Sequence, residues 1–260
     1  MTKKLVFTPQ KGGDHPLARL IDHEETYGPH IIERFVKKIN LLETIVDIGA
    51  GSGRDLLMVK KLHPSASTVA IEAGHEYAKN LFGIVDQVYI SNIERDKLPF
   101  EDESVDLIIA NQVLEHTKEI FWIFHEVTRS LRVGGHFLIG VPNIASLHNR
   151  LLLLIGEHPT QHKLRSAHVR PFSKLDTIKF VDECFPLGYK LIDFAGSQFY
   201  PFPKSIARAL SKGFPTASFS IFFLFQKLTE YTDGFVKYPS NYQLETNFWI
   251  GSTNHDSQYK

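Results

Sequence analysis

The stretch VDIGAGSGRD, Val46 to Asp55, follows an apolar run with three glycines at alternate positions, Gly49, Gly51 and Gly53, and then a charged pair. A strand that turns through glycines into a helix brings main chain close to a ligand, because a Cβ at those positions would stand in the way. A dinucleotide fingerprint would place another glycine three positions after Gly51, to admit a pyrophosphate at the helix N-terminus. Arg54 occupies that position, and Asp47 stands just before the loop. A carboxylate there suits a ligand that carries an ammonium group and no phosphate.

Around this stretch, short apolar runs alternate with amphipathic ones from about Leu42 to Val141, the pattern of βαβ units and a parallel sheet. Strands are expected at Thr44–Ile48, Thr68–Ile71, Gln87–Ile90, Leu107–Ala110 and His136–Val141. GRDLLMVKKLH, GHEYAKNLF and EIFWIFHEVTRSL between them have helical spacing, as does PHIIERFVKKINLL upstream (Pro29 to Leu42). After Pro142 the alternation stops. Asn143 to Pro171 reads as an insertion with a Leu-rich helix and a His-rich loop, a natural cover for a substrate. SKLDTIKFVDECF then resumes a helix and YKLIDFAG a strand. FPTASFSIFFLFQKL is ambiguous. Ala217, Ile221, Leu224, Phe225 and Leu228 fit helical spacing, whereas the composition is that of a strand, and we expect a helix opened by Pro215, with LETNFWIG as the last strand.

The totals exclude several classes. Lys+Arg and Asp+Glu are equal at 29 each, so no net field draws the chain to nucleic acid. A single cysteine, Cys184, forms no intrachain disulfide, and the first residues lack the apolar core of a secretory signal, so the expected location is the cytoplasm. No apolar run approaches the roughly 20 residues that span a bilayer.

VDIGAGSG resembles the first motif of class I S-adenosylmethionine-dependent methyltransferases, and the similarity runs from about residue 44 to 195 with its parts in order. Pattern and resemblance together predict an α/β, Rossmann-like doubly wound seven-stranded sheet, mostly parallel with an antiparallel last strand, plus the inserted helical cover. The expected organisation is an N-terminal helical segment (1–43), a cofactor-binding core (44–142), the cover (143–171), the rest of the same domain (172–251) and a polar tail (252–260). The resemblance implies S-adenosylmethionine as cofactor, with S-adenosylhomocysteine as product. It assigns Asp47, Gly49, Ala50, Gly51 and Gly53 to the glycine loop, and Glu72, with Ala73 beside it, to the ribose hydroxyls. Asn92 and Ile93 fall near the adenine, with Ser91 or Glu94 as alternatives to Asn92, and Asn111 and Gln112 near the methionine end.

A sulfonium methyl is already activated, so its transfer needs positioning more than strong acid, and a hydroxyl acceptor is helped by a general base. His116 at the end of the fourth strand and His168 in AHVRPF are the candidate bases; each has the rival reading of a histidine that shapes the pocket. NQVLEH and AHVRPF also resemble the O-methyltransferases of ubiquinone synthesis, in which an acid three positions before the Glu-His pair helps bind a divalent ion. Gln112 stands there, so no metal is expected. VPNIASLHNRLLLLIGEHPT resembles methyltransferases of bacterial surface polysaccharides and other glycans, which implies a small acceptor with a sugar hydroxyl. Residues 203–228 could make a peripheral membrane contact, and the alternative is that the Phe-rich helix packs on the sheet or forms a homodimer contact. A nicotinamide-dependent oxidoreductase, disfavoured by Arg54, and a non-catalytic S-adenosylmethionine-binding module are the competing functional classes.

Overall fold

The computed structural model describes residues 23–244 and 248–251. Two short helices, α1 (His23–Thr26) and α2 (Pro29–Val36), lead into β1 (Thr44–Ile48), α3 (Arg54–Leu62), β2 (Ser67–Glu72), α4 (His75–Leu81), β3 (Gln87–Ile90), β4 (Val105–Asn111), α5 (Ile120–Ser130) and β5 (Leu131–Pro142). The cover contributes α6 (Leu147–Leu154), and the chain closes with α7 (Lys174–Cys184), β6 (Tyr189–Ser197), α8 (Lys204–Gly213), β7 (Ser220–Lys227) and α9 (Gly234–Asn241).

The sheet has the order β3-β2-β1-β4-β5-β7-β6. β1, β2, β3, β4 and β5 pair in parallel, and β7 runs antiparallel to both β5 and β6. The expected seven-stranded Rossmann-like sheet is therefore present, with the last strand in sequence the antiparallel one.

Residue alternation builds two cores. Val46, Ile108, Phe137 and Phe223 face α5 and α7 on one side, and Ile45, Leu107, Leu138 and Phe222 face α2 and α3 on the other. In α2, Ile31, Ile32, Phe35 and Val36 form the buried stripe, while Arg34 and Lys38 reach Asp193 at the sheet's edge at 3.2 and 2.7 Å.

The expected helix over 214–228 is corrected. Pro215 opens only a single turn (Pro215–Ala217), and Ser220–Lys227 is a strand wedged between β5 and β6. Both of its faces are covered, Ile221, Phe223 and Phe225 on one side and Phe222 and Leu224 on the other. A strand buried on both faces loses its period-two signal and becomes a continuous apolar run, whose matches to helical spacing are accidental. These phenylalanines are thus not surface that a membrane or a second copy could meet. The other expected strand, LETNFWIG, falls partly on residues 245–247, outside the described residues, and Phe248–Gly251 has no regular structure. Among the described residues, no helix is long and apolar enough to cross a membrane.

Phe222→Ala should therefore cost about 3–5 kcal/mol of stability, the range for a large aromatic removed from a core. Urea denaturation measures it; a cost under about 1 kcal/mol would mean that the side chain is not buried between layers.

Candidate active site

The glycine loop crosses the carboxyl edge of β1. Gly49 and Gly51 have φ of 70° and 55°, in the left-handed region. A Cβ on Gly49 would stand 2.5 Å from Val113, so no side chain fits. A Cβ on Gly51 would project into open space, with Gly49 O its nearest neighbour at 3.9 Å. The bare backbone there forms a cradle wall. The Gly51 amide donates to Glu72 Oε1 at 2.6 Å, which fixes the loop to the end of β2 and leaves Oε2 of that carboxylate for a ligand.

Two cavities meet at Gly49 and Gly51. The larger, about 500 Å³, is lined by Glu72, Ala73, Asn92, Ile93, Gln112 and His116, among others. The smaller, about 280 Å³, is lined by Asp47, Ala50, Asp55, Asn111 and Tyr27. The sequence-predicted residues thus gather in two adjoining spaces, with two exceptions. Gly53 lines neither cavity. It opens α3 at φ 73°, and a Cβ would meet Leu81 at 2.9 Å, so its role is the turn and helix packing. His168 lies against His116 and lines neither cavity. Asn92 holds its own turn, its Oδ1 accepting the Glu94 amide at 3.0 Å and its amide donating to Asp96 at 2.7 Å. Only its Nδ2 remains for a ligand.

Asp47 is buried, and its carboxyl is held well above the usual carboxylate range by burial and by the neighbouring charges of Asp55 and Glu72, with Arg54 opposing. Asn111 bridges the space, its Nδ2 donating to Asp55 Oδ2 at 2.7 Å and to the Tyr27 carbonyl at 3.1 Å, while its buried Oδ1 has no partner. A cluster of carboxylates around a small cavity is a site that a cationic ligand would neutralise.

Tyr27, Asp55, Tyr77 and Val113 also line these cavities and were not among the candidates the sequence offered. Tyr27 arrives from the N-terminal segment, where its ring stacks on the Arg54 guanidinium at 4.8 Å. Arg54 also reaches Asp55 at 2.9 Å and Glu24 at 3.3 Å. The residue that replaces the dinucleotide glycine therefore pins the N-terminal segment over the loop. The only signal for Asp55 was its place in the first turn of α3.

At the rim of the larger cavity His116 and His168 pack edge to face, ring centroids 4.7 Å apart. The last residues of the cover hold this corner, with the Val169 and Arg170 amides donating to the Glu115 carbonyl at 2.8 and 3.1 Å and His116 Nδ1 lying 3.3 Å from the Ala167 carbonyl. Burial, with His116 and His162 nearby, pushes the His168 imidazole down to about 4, so it is neutral at physiological pH. Burial pushes the Glu115 carboxyl up to about 8. Glu115, His116 and His168 each offer one ligand atom, all within 4.8 Å of one another, and Gln112 is not part of the group. A carboxylate and two imidazoles form a donor set suited to a divalent transition ion.

Residues 46–139 match the family described as Methyltransferase domain. The chain is 31% identical to the sterol 4-C-methyltransferase of Caenorhabditis elegans over 117 residues, 42% of this chain and 34% of that one. It is 25% identical to the malonyl-[acyl-carrier protein] O-methyltransferase of Legionella pneumophila over 120 residues, 45% of this chain and 42% of the other. The chain thus spans well under half the length of these relatives. In fold it resembles an S-adenosylmethionine-dependent methyltransferase from Archaeoglobus fulgidus, with a TM-score of 0.53, 16% identity and coverage of 79% of this chain and 98% of that structure.

Residues 46–139, about a third of the chain, are thus similar to a methyltransferase domain. The site fits S-adenosylmethionine as cofactor. The carboxylate-rich small cavity suits its ammonium and sulfonium charges, the free oxygen of Glu72 can accept from ribose hydroxyls, and the Cβ-free wall at Gly51 leaves room for close approach.

Two outcomes are expected from this geometry. Asp47→Asn removes one of the crowded carboxylates, so the ligand-free domain should melt no lower than wild type, while affinity for S-adenosylhomocysteine falls about 10- to 100-fold, the loss of one charged hydrogen bond. Calorimetric titration with parallel thermal melts separates the two effects, and unchanged affinity would remove Asp47 from the site. Glu115 titrates near 8 when folded against an ordinary 4.5, so the folded chain holds an extra proton between those values and loses stability as pH rises through the window. The slope is at most about 1.4 kcal/mol per pH unit. In chelator-treated protein the difference in stability between wild type and Glu115→Gln should carry this slope, as read by urea midpoints between pH 5 and pH 8; a difference that does not vary with pH would assign the proton elsewhere.

Proposed function

We propose that the chain transfers the methyl group of S-adenosylmethionine to a hydroxyl of a small acceptor, one bearing a sugar. The observation that carries this reading is the packing of the His168 ring edge to face on His116, ring centroids 4.7 Å apart, with His116 on the lining of the larger cavity. The bound cofactor supplies an electrophilic methyl group. Asp47 and Asn111 hold the amino-acid end, Glu72 and the Gly51 backbone hold the ribose, and Asn92 and Ile93 border the adenine. The acceptor hydroxyl lies under the cover, where His116 or His168 takes its proton as the oxygen becomes nucleophilic. O-transfer, like that named for the Legionella relative, is favoured over C-transfer because an imidazole pair can take a hydroxyl proton, whereas no stronger base faces the cavity among the described residues.

His116→Ala and His168→Ala should each lower methyl transfer by about 10²- to 10⁴-fold with little change in S-adenosylhomocysteine affinity. Product formation from a panel of sugar acceptors, with titrations of S-adenosylhomocysteine and NAD⁺, tests the reading. Binding of NAD⁺ alone would return the chain to the oxidoreductases, and binding of S-adenosylhomocysteine with no acceptor methylated would leave a binding module.

A second reading rests on the Glu115–His116–His168 group. These side chains would hold a divalent ion, which would supply a Lewis acid for the acceptor oxygen. Our first reading requires equal activity after chelator treatment and after addition of Zn²⁺, Mn²⁺ or Mg²⁺. Activity that is lost on chelation and restored by one of these ions would establish the second.

A further inference from the structure

A third cavity, apolar and larger than the two at the glycine loop, lies beneath α6. Its volume is about 760 Å³, and Leu147, Leu151 and Leu152 of α6 face Phe202 and Phe219 across it. Two of the polar groups on its wall are spent on each other. His148 Nε2 lies 3.1 Å from Thr160 Oγ1, its Nδ1 lies 3.2 Å from Ser146 Oγ, and its ring stacks on Phe219 at 5.5 Å. A cavity of this volume with few free polar groups matches the walls of a site for an apolar ligand.

Its position ties it to the reaction. Leu147 follows the end of β5, Gln198 follows the end of β6, and Phe219 precedes β7, which runs the opposite way. The cavity therefore opens at the same carboxyl edge of the sheet as the glycine loop. β7 is two strands from β4, roughly 10 Å at the usual strand spacing. Thr26 lines the apolar cavity, and the adjacent Tyr27 lines the smaller cofactor cavity, so a single turn of chain separates the two. The mouth is apolar as well. Leu147, Leu151, Leu154 and Ile155 fall on one face of α6, at 41, 55, 81 and 73% exposure.

We propose that this cavity binds the linear apolar chain of an amphiphilic acceptor, a sugar carried on a hydrocarbon tail, with the sugar directed along the sheet edge toward His116 and His168. The assignment deepens the reading above and rests on it for the identity of the head group only. The exposed leucines at the mouth are where such a tail would enter from a micelle or bilayer.

The test uses n-alkyl glucosides of six to ten carbons below their micelle concentrations, titrated calorimetrically into the full chain. Each methylene that enters the cavity should tighten binding about fourfold, the equivalent of about 0.8 kcal/mol per buried CH₂. Leu151→Glu, which sets a charge on the wall, should weaken the decyl compound more than tenfold. Leu153→Glu, an exposed position on the face of α6 turned away from the lining, should leave that affinity within twofold. Affinity independent of chain length would overturn the proposal, and this arm decides even if Leu151→Glu fails to fold. A wild-type dimer that Leu151→Glu dissociates would overturn it too, by showing that a second copy covers this face. Chain-dependent binding in a protein that does not bind S-adenosylhomocysteine would support the cavity assignment while removing the methyltransferase reading.

Discussion

Carboxylates crowd beneath a bare backbone loop, and much of this structure is arranged around that crowding. Asp47 and Asp55 are buried, and Glu72 is nearly so, all at the carboxyl edge of β1 and β2. Burial of like charges is costly unless donors or cations compensate them. The chain supplies a donor to Glu72 from the Gly51 amide, and to Asp55 from Asn111 and Arg54. Asp47 is compensated least, and burial beside Asp55 and Glu72 holds its carboxyl well above the usual range. This imbalance distinguishes a site built for a cationic ligand from one built for a pyrophosphate, which would meet repulsion here.

The same donors recruit the N-terminal segment. Asn111 donates to the Tyr27 carbonyl and Arg54 stacks on the Tyr27 ring, so the groups that satisfy Asp55 also draw residues 24–27 over the loop. Farther along, the buried carboxylate of Glu25 is clamped bidentately by Arg208 of α8, and its carbonyl accepts the Ser197 hydroxyl at 2.6 Å. The turn between cofactor cavity and apolar cavity is consequently anchored from both sides. Lys204, at the start of α8, pairs with the same Glu25 carboxylate.

The parallel half of the sheet was legible because each strand announces itself by a short apolar run and each crossover by helical spacing. β1 and β3 fall on the expected residues, and β2, β4 and β5 extend them by a few positions. The antiparallel half was not legible in the same way, since β7 is covered on both faces by neighbours that only the tertiary fold brings. In the site, the loop could be read from the spacing of its glycines, and the candidates at the strand ends followed from the family resemblance. Tyr27 could not, because nothing local says that a segment before β1 folds back over it. Gly53 shows the converse error. Its spacing matches the motif, but its Cβ direction is toward Leu81, so packing and not ligand approach explains it.

His116 and His168 were separate candidates in the sequence, 52 positions apart, and their meeting depends on how the cover returns to the core. Asn143 sets its departure. Its Nδ2 donates to the Thr216 and Ser218 carbonyls at 2.9 Å each, and its own carbonyl accepts from Asn149, so the first turn of the cover is fixed to the approach to β7. The Val169 and Arg170 amides set its return by donating to the Glu115 carbonyl. With both ends tied to strand termini, the cover cannot move as a free flap without breaking buried hydrogen bonds. Its His168 is accordingly held in a desolvated corner where the imidazole stays neutral. The attachment that ties the cover to the core is thus the same one that holds His168 on His116, the pair to which the proposed reaction gives its proton.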